Sequence, residues 1–203
     1  YWASEYHIDG FRFDLMGVLD IETLNEARKA LLKINPDIIM YGEGWTGGES
    51  TLPESERGMK INAPRTPGIG MFSDDIRDAV KGHVFYMDEL GFVNGAADRG
   101  EELKQAVTCA KWAKSPMQSI NYLSCHDNYT LWDRFIISNS HESEEMRIRM
   151  NKLAAAILFT AQGIPFFLHG EEFARTKISE ADGAPVENSY CSPLSVNAID
   201  YDR

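Results

Sequence analysis

The sequence predicts an α/β fold built on a parallel sheet. Three observations carry that expectation. Short apolar runs alternate with segments of helical period, the opening strand, helix and strand form a βαβ unit, and acidic or polar residues gather where strands end. Two architectures fit, an open doubly wound sheet or part of a (β/α)8 barrel. In both, chemistry belongs at the carboxyl ends of the strands.

The elements follow in order. "YWASEYHIDG" reads as the end of a helix. From Gly10 to Leu15, Phe11, Phe13 and Leu15 alternate with Arg12 and Asp14, the period of a strand. Ile21, Leu24, Ala27, Leu31 and Ile34 then recur at helical spacing, with Asp20 as N-cap and Pro36 just beyond the end. "DIIMY" is a second, fully apolar strand, parallel to the first. Residues 44 to 70 are rich in Gly and Pro and lack a period, so they predict a long functional loop. "MFSDDIRDAVKG" suggests a short strand entering a short helix, "GEELKQAVTCAKWA" another helix, and "SINYLSC" a third convincing strand ending at "HDN". "SEEMRIRMNKLAAAILFTAQG" is a long helix stopped by Gly163, and "IPFFLHG" is the last strand.

Composition narrows the function. A hydrophobic content of 43% supplies a substantial core and excludes disorder. The formal charge of −11 argues against nucleic acid as a partner, because phosphate binding needs a basic surface. No apolar run approaches membrane-spanning length, so no membrane partner is expected. Cys109, Cys125 and Cys191 form no C-x-x-C pair and predict neither a disulfide framework nor structural zinc.

Gly42, Gly44 and Gly47 in "YGEGWTGG" match the G-x-G-x-x-G spacing of a dinucleotide site. That site needs a helix to start at once, so that its N-terminus meets the pyrophosphate. "GGESTLPESERG" is no helix start, and Glu43 would repel phosphate at the closest approach. The glycines instead give room around Glu43, and Trp45 offers a flat face for stacking on a sugar ring, or for core packing.

Arg12 and Asp14 lie two apart on a strand, so both leave the same face, and Arg12 can hold Asp14 by charge and hydrogen bonding. His126 and Asp127 close a strand, where simple alternation would send them to opposite sides unless the strand ends between them. Adjacent residues do not readily converge on one ion, so a metal on Cys125, His126 and Asp127 is not expected. No G-x-S-x-G elbow, P-loop or H-E-x-x-H occurs. Three strand-end carboxylates with Arg, His and aromatic side chains suit glycosidic bond cleavage: one attacks the anomeric carbon, one protonates the leaving oxygen, one favours the oxocarbenium-like transition state.

These segments resemble a known family. "DGFRFDLMG", "YGEGW" and "NYLSCHDN" are similar to signature regions of the α-amylase superfamily (glycoside hydrolase family 13), on barrel strands four, five and seven. "MFSDDIRDAVKG" and "GIPFFLHGEEF" resemble the strand-six and strand-eight segments. "YGEGW" and "ENSYCSPLSVNAIDY" resemble the type I pullulanases within it. The resemblance implies Asp14 as nucleophile, Glu43 as general acid/base and Asp127 as transition-state stabiliser. It further implies that Arg12 orients Asp14 and that His126 binds glucose hydroxyls, with Trp45, Asn128 and Asn188 as further substrate contacts. Retention would set the Asp14 and Glu43 carboxyls roughly 5–5.5 Å apart.

The implied activity is hydrolysis of α-1,6 branch linkages in pullulan, starch or glycogen-type dextrins. Alternatives are an α-1,4 hydrolase or transglycosidase of the superfamily, or a non-catalytic α-glucan-binding protein. The partner is an α-glucan, no cofactor is required, and calcium is an option for a full-length enzyme. A strand-three signature has no counterpart here, and a barrel takes roughly 250 residues. The chain opens on Tyr1 and is expected to be a fragment, residues 1–203 forming part of one catalytic barrel domain, strands four to eight, with no second domain. Alone it is expected to be poorly stable and inactive. No signal peptide is visible, and the cytoplasm is favoured over export.

Overall fold

The computed structural model describes residues 1–202, which pack as two compact units. One comprises Tyr1–Ser73 and Cys109–Ile120; the other comprises Asp74–Thr108 and the residues from Asn121 onward.

The first unit holds helix α1 (Trp2–Glu5), strand β1 (Gly10–Phe13), helix α2 (Ile21–Leu31), strand β2 (Ile39–Gly42), strand β3 (Gly70–Ser73) and the start of strand β4 (Ser119–Asn121). Its strands lie in the order β1-β2-β3-β4. β1 and β2 are parallel with Gly10 opposite Ile39 and Phe13 opposite Gly42, and β2 and β3 are parallel with Gly42 opposite Met71. The expected βαβ unit is therefore present. α2 begins where the sequence places it, the Asp20 carboxylate accepting the Thr23 N–H at 2.7 Å. Its Leu24 enters a core of Met16, Met40, Ala63, Ile69 and Met71.

The long segment after β2 contains two 3-10 turns, Glu54–Glu56 and Lys60–Arg65. It is stapled by side chains: the Arg57 guanidinium donates to Leu52 O (2.7 Å) and Ser50 O (2.9 Å). Gln118, buried in the 3-10 turn just before β4, donates to Ala63 O and Thr66 O at 2.9 and 3.1 Å. These bonds tie backbone carbonyls of the segment to buried or half-buried side chains.

The second unit holds α3 (Asp74–Lys81), α4 (Gly100–Thr108), the end of β4, α5 (Leu131–Ser138), α6 (Glu144–Thr160), β5 (Ile164–Pro165) and α7 (Leu194–Asn197). Ile76, Val80, Leu123, Leu131, Phe135 and Leu158 belong to its core. β5 meets the end of β4 through Phe166 N–H to Asn121 O at 2.7 Å.

Five segments differ from the sequence reading. β1 stops at Phe13, because Leu15 adopts a left-handed backbone (φ 42°, ψ 51°) that no strand continues. α4 stops at Thr108, and the Gln162 N–H takes the Val107 carbonyl at 2.8 Å, satisfying the helix end from outside. β4 and β5 are shorter than their apolar runs: beyond Asn121 the chain leaves the ladder, and Pro165 has no N–H to donate. α5 has no counterpart in the sequence reading; its cap is Thr130, whose hydroxyl accepts the Asp133 N–H at 3.1 Å. Among the described residues no helix is long and apolar enough to cross a membrane.

Candidate active site

In the first unit the structure gathers Arg12, Asp14 and Glu43 at the carboxyl ends of two adjacent parallel strands. Arg12 leaves β1 on the same face as Asp14 and forks: Nη1 donates to the Asp14 carboxylate and Nη2 to Glu43 Oε1. A planar guanidinium can serve two carboxylates at once, which an ammonium on the same stem cannot match in geometry. Arg12 also lies over the Phe72 ring, 5.7 Å from its centroid. The other Glu43 oxygen, Oε2, accepts the Leu15 N–H at 2.8 Å. The left-handed turn at Leu15 aims that N–H, so backbone strain sits beside the two acids.

The acids differ in exposure. Glu43 is 3% exposed, whereas the Asp14 side chain is 66% exposed. The glycines around Glu43 are explained by close approach. A Cβ at Gly42 would stand 2.6 Å from Phe13 O, and one at Gly44 would stand 2.7 Å from Lys60 Cγ and 2.9 Å from Met71 Sδ. Gly17 has the same role opposite Trp45, whose carbonyl accepts the Gly17 N–H at 3.0 Å. Trp45 is half-buried, with Lys60 Nζ 5.2 Å from its ring centroid. Sequence reasoning did not find Leu15, Lys60 or Phe72, since none carries a motif.

In the second unit the structure gathers His126, Asp127, Asn128 and Asn188. The strand has ended before His126, so alternation does not separate it from Asp127, and His126 Nε2 lies 3.5 Å from Asp127 Oδ1. Both side chains are about half exposed. Asn128 turns left-handed (φ 60°), and its N–H is accepted by Asn188 Oδ1 at 2.9 Å. Asn188 is tethered by its neighbour: buried Ser189 accepts from Lys177 Nζ at 2.7 Å and donates to Asn197 Oδ1 at 2.8 Å. Asn188 thus spends its side-chain oxygen on the turn that carries Asp127.

Beneath that turn lies buried ionisable chemistry that the sequence did not announce. The Ser124 hydroxyl donates to Glu171 Oε2, both residues being buried. Burial pushes the Glu171 carboxyl up to about 7, while the Ser124 hydrogen bond and the Lys81 charge pull the other way. Burial brings the enclosed Lys81 amine down to about 8, with Arg77 adding repulsion. Burial also raises the Cys125 thiol. All three cysteines are free.

Parallel strands in chain order carry an Arg-bridged pair of acids at the carboxyl ends of two of them, an α/β arrangement. No family model matches the chain. Over 100% of its length it is 41% identical to pullulanase of Bacillus subtilis, and over 98% it is 31% identical to pullulanase of Klebsiella aerogenes. It spans 28% and 22% of those relatives. Among solved structures, pullulanase of Anoxybacillus sp. complexed with maltotetraose matches all of the chain and 29% of its own (TM-score 0.93, 47% identity). The Paenibacillus barengoltzii enzyme complexed with maltohexaose and α-cyclodextrin matches 99% of the chain and 31% of its own (TM-score 0.90, 48% identity). The chain belongs to the type I pullulanases of the α-amylase superfamily, and its parallel strands are those of a partial (β/α)8 barrel.

Proposed function

We propose that these residues supply strands four to eight, with the acids they carry, to a complete retaining hydrolase of α-1,6-glucosidic linkages in pullulan, starch or glycogen-type dextrins. The observation that carries the reading is the Arg12 fork between an exposed Asp14 and an enclosed Glu43. A retaining glycosidase needs two neighbouring carboxyls of unlike environment, one open to the sugar carbon and one placed to pass a proton.

The chemistry follows in two displacements. An Asp14 oxygen attacks the anomeric carbon while the Glu43 carboxyl gives its proton to the departing oxygen of the branch linkage. The bond from carbon to that oxygen breaks as the bond to Asp14 forms. Glu43, now a carboxylate, removes a proton from water, which attacks the same carbon and releases Asp14. Two inversions restore the original configuration.

Arg12 orients both carboxyls during the cycle, and Leu15 N–H fixes the Glu43 rotamer by holding Oε2. The resemblance assigns Asp127 to stabilising the oxocarbenium-like transition state and His126 to hydrogen-bonding glucose hydroxyls. Trp45 offers an aromatic face to a sugar ring. Asn128 and Asn188 are weaker candidates for substrate contact, since the Asn188 oxygen is already engaged. The preference for α-1,6 linkages is supported by relatives that are pullulanases over the full matched length.

The test is product analysis with the complete enzyme on pullulan and on amylose. Maltotriose from pullulan, with amylose left intact, is expected. Cleavage of amylose with pullulan untouched would make the enzyme an α-1,4 hydrolase instead.

A further inference from the structure

Glu171 is a buried carboxyl that the reaction above leaves unused. It lies in the 3-10 turn Glu171–Phe173 and is 4% exposed. Its backbone is fixed on both sides: its N–H donates to Leu168 O at 2.9 Å, and its carbonyl accepts from Asn151 Nδ2 of α6 at 3.2 Å. Its side chain has a single hydrogen bond, from the Ser124 hydroxyl to Oε2; among the described residues Oε1 has no partner. Burying a carboxyl is costly unless hydrogen bonds or a counter-charge compensate it, and here the one side-chain hydrogen bond is that from Ser124.

Ser124 is itself 2% exposed, and it stands two residues before His126 and three before Asp127. Leu123, immediately before it, is fully buried in the core. The chain therefore passes from a fixed core position, through one buried hydrogen bond, into the exposed His126–Asp127 pair. At the far end of the same turn the Asn188 oxygen holds the Asn128 N–H.

We propose that Glu171 is a positioning residue for Asp127, acting through Ser124. The inference rests on Asp127 being the transition-state stabiliser. Glu171 touches no substrate; it sets where the turn begins, and so where the Asp127 carboxylate is presented. A stabilising carboxylate acts only where charge develops, so displacement by a fraction of an ångström lowers kcat and leaves ground-state binding nearly intact.

The device also responds to pH. A hydroxyl donates more strongly to a carboxylate than to a neutral carboxyl. Reciprocally, the Ser124 bond favours the ionised form of Glu171, as does the Lys81 charge from α3, while burial and Glu172 on its own turn favour the neutral form. Lys81 is in turn faced by Arg77, Asp78, Cys125 and Glu171. With the carboxyl titrating at about 7, the clamp weakens as pH falls through neutrality.

The test uses the complete enzyme on pullulan, with kcat, KM, their pH profiles and the thermal midpoint measured for each variant. Ser124→Ala removes one oxygen and leaves both buried charges in place. It is expected to lower kcat by about 10- to 100-fold, the loss of one charge-assisted hydrogen bond, with KM changed less than about two-fold. Glu171→Gln leaves Ser124 only a neutral acceptor, so its kcat at pH 8 should lie near the lowered level expected of the native enzyme below pH 7, without the decline through neutrality expected of the native enzyme. Native kcat in Ser124→Ala overturns the inference, whatever its thermal midpoint, and so does an effect carried by KM. An unsubstituted enzyme that does not cleave pullulan overturns the underlying reading of Asp127 and this inference with it.

Discussion

Arg12 is the side chain on which the paired acids depend most. It donates to Asp14 through one guanidinium nitrogen and to the enclosed Glu43 through another. Lysine in its place keeps the charge but reaches one carboxyl at a time. Losing one charge-assisted hydrogen bond costs about 1.5–3 kcal/mol, which corresponds to about 10- to 100-fold in kcat/KM if it bears on the transition state. Arg12→Ala removes both bonds and leaves a 3% exposed carboxyl with Leu15 N–H as its remaining partner. Breaking a buried pair by removing one partner costs about 3–5 kcal/mol, or about 10²- to 10³-fold and somewhat more. Initial rates of reducing-end release from pullulan, measured on the complete enzyme with its thermal midpoint as control, give both figures. The order native, Arg12→Lys, Arg12→Ala is expected, each step at least about ten-fold. Arg12→Ala with kcat/KM within about three-fold of native would refute the fork as an organiser of the two acids.

Two further outcomes concern packing and burial. Gly42→Ala places a methyl 2.6 Å from Phe13 O, a backbone atom of the paired strand that has no rotamer to yield, so a loss of about 1–3 kcal/mol should appear as a lowered thermal midpoint; an unchanged midpoint would show that β1 and β2 can separate freely there. Glu171 has its carboxyl raised by burial from 4.5 to about 7, so the folded state binds its proton more tightly than the unfolded state does. The stability this contributes is present below about pH 4.5 and is lost as pH rises through about 7, on the order of 3 kcal/mol in all. Urea midpoints of native and Glu171→Gln enzyme at pH 5 and pH 8 should therefore converge or cross in that direction, and parallel pH dependences would contradict the burial of an ionisable group.

Local signals explain what was legible in the sequence. Asp20 caps α2 and Pro36 lies beyond it, so β1, α2 and β2 could be read from short-range chemistry alone. The glycines of "YGEGWTGG" read as space around Glu43, and the close contacts at Gly42 and Gly44 give that space its reason. α5 carries a readable local signal, the Thr130 and Asp133 capping pair at the start of an apolar run.

Other features had no local signature. The apolar runs around β4 and β5 look like long strands, yet the strands end at Asn121 and Pro165 with the Phe166 N–H to Asn121 O bond just beyond, because hydrogen-bond partners are set by tertiary geometry and not by apolarity. Leu15 is a leucine in a left-handed conformation, which no residue preference announces. Ser124 and Glu171 are 47 residues apart, so their bond is visible only once the second unit is folded.

Glu43→Gln in the complete enzyme tests the central claim most directly. Gln keeps the size of the side chain and one oxygen, which can accept from Arg12 or from the Leu15 N–H but not from both in their present positions, and it cannot deliver a proton to the leaving oxygen. Pullulan hydrolysis should fall by at least about 10²-fold while equilibrium binding of maltotriose stays near native. Hydrolysis at the native rate by Glu43→Gln would contradict the account.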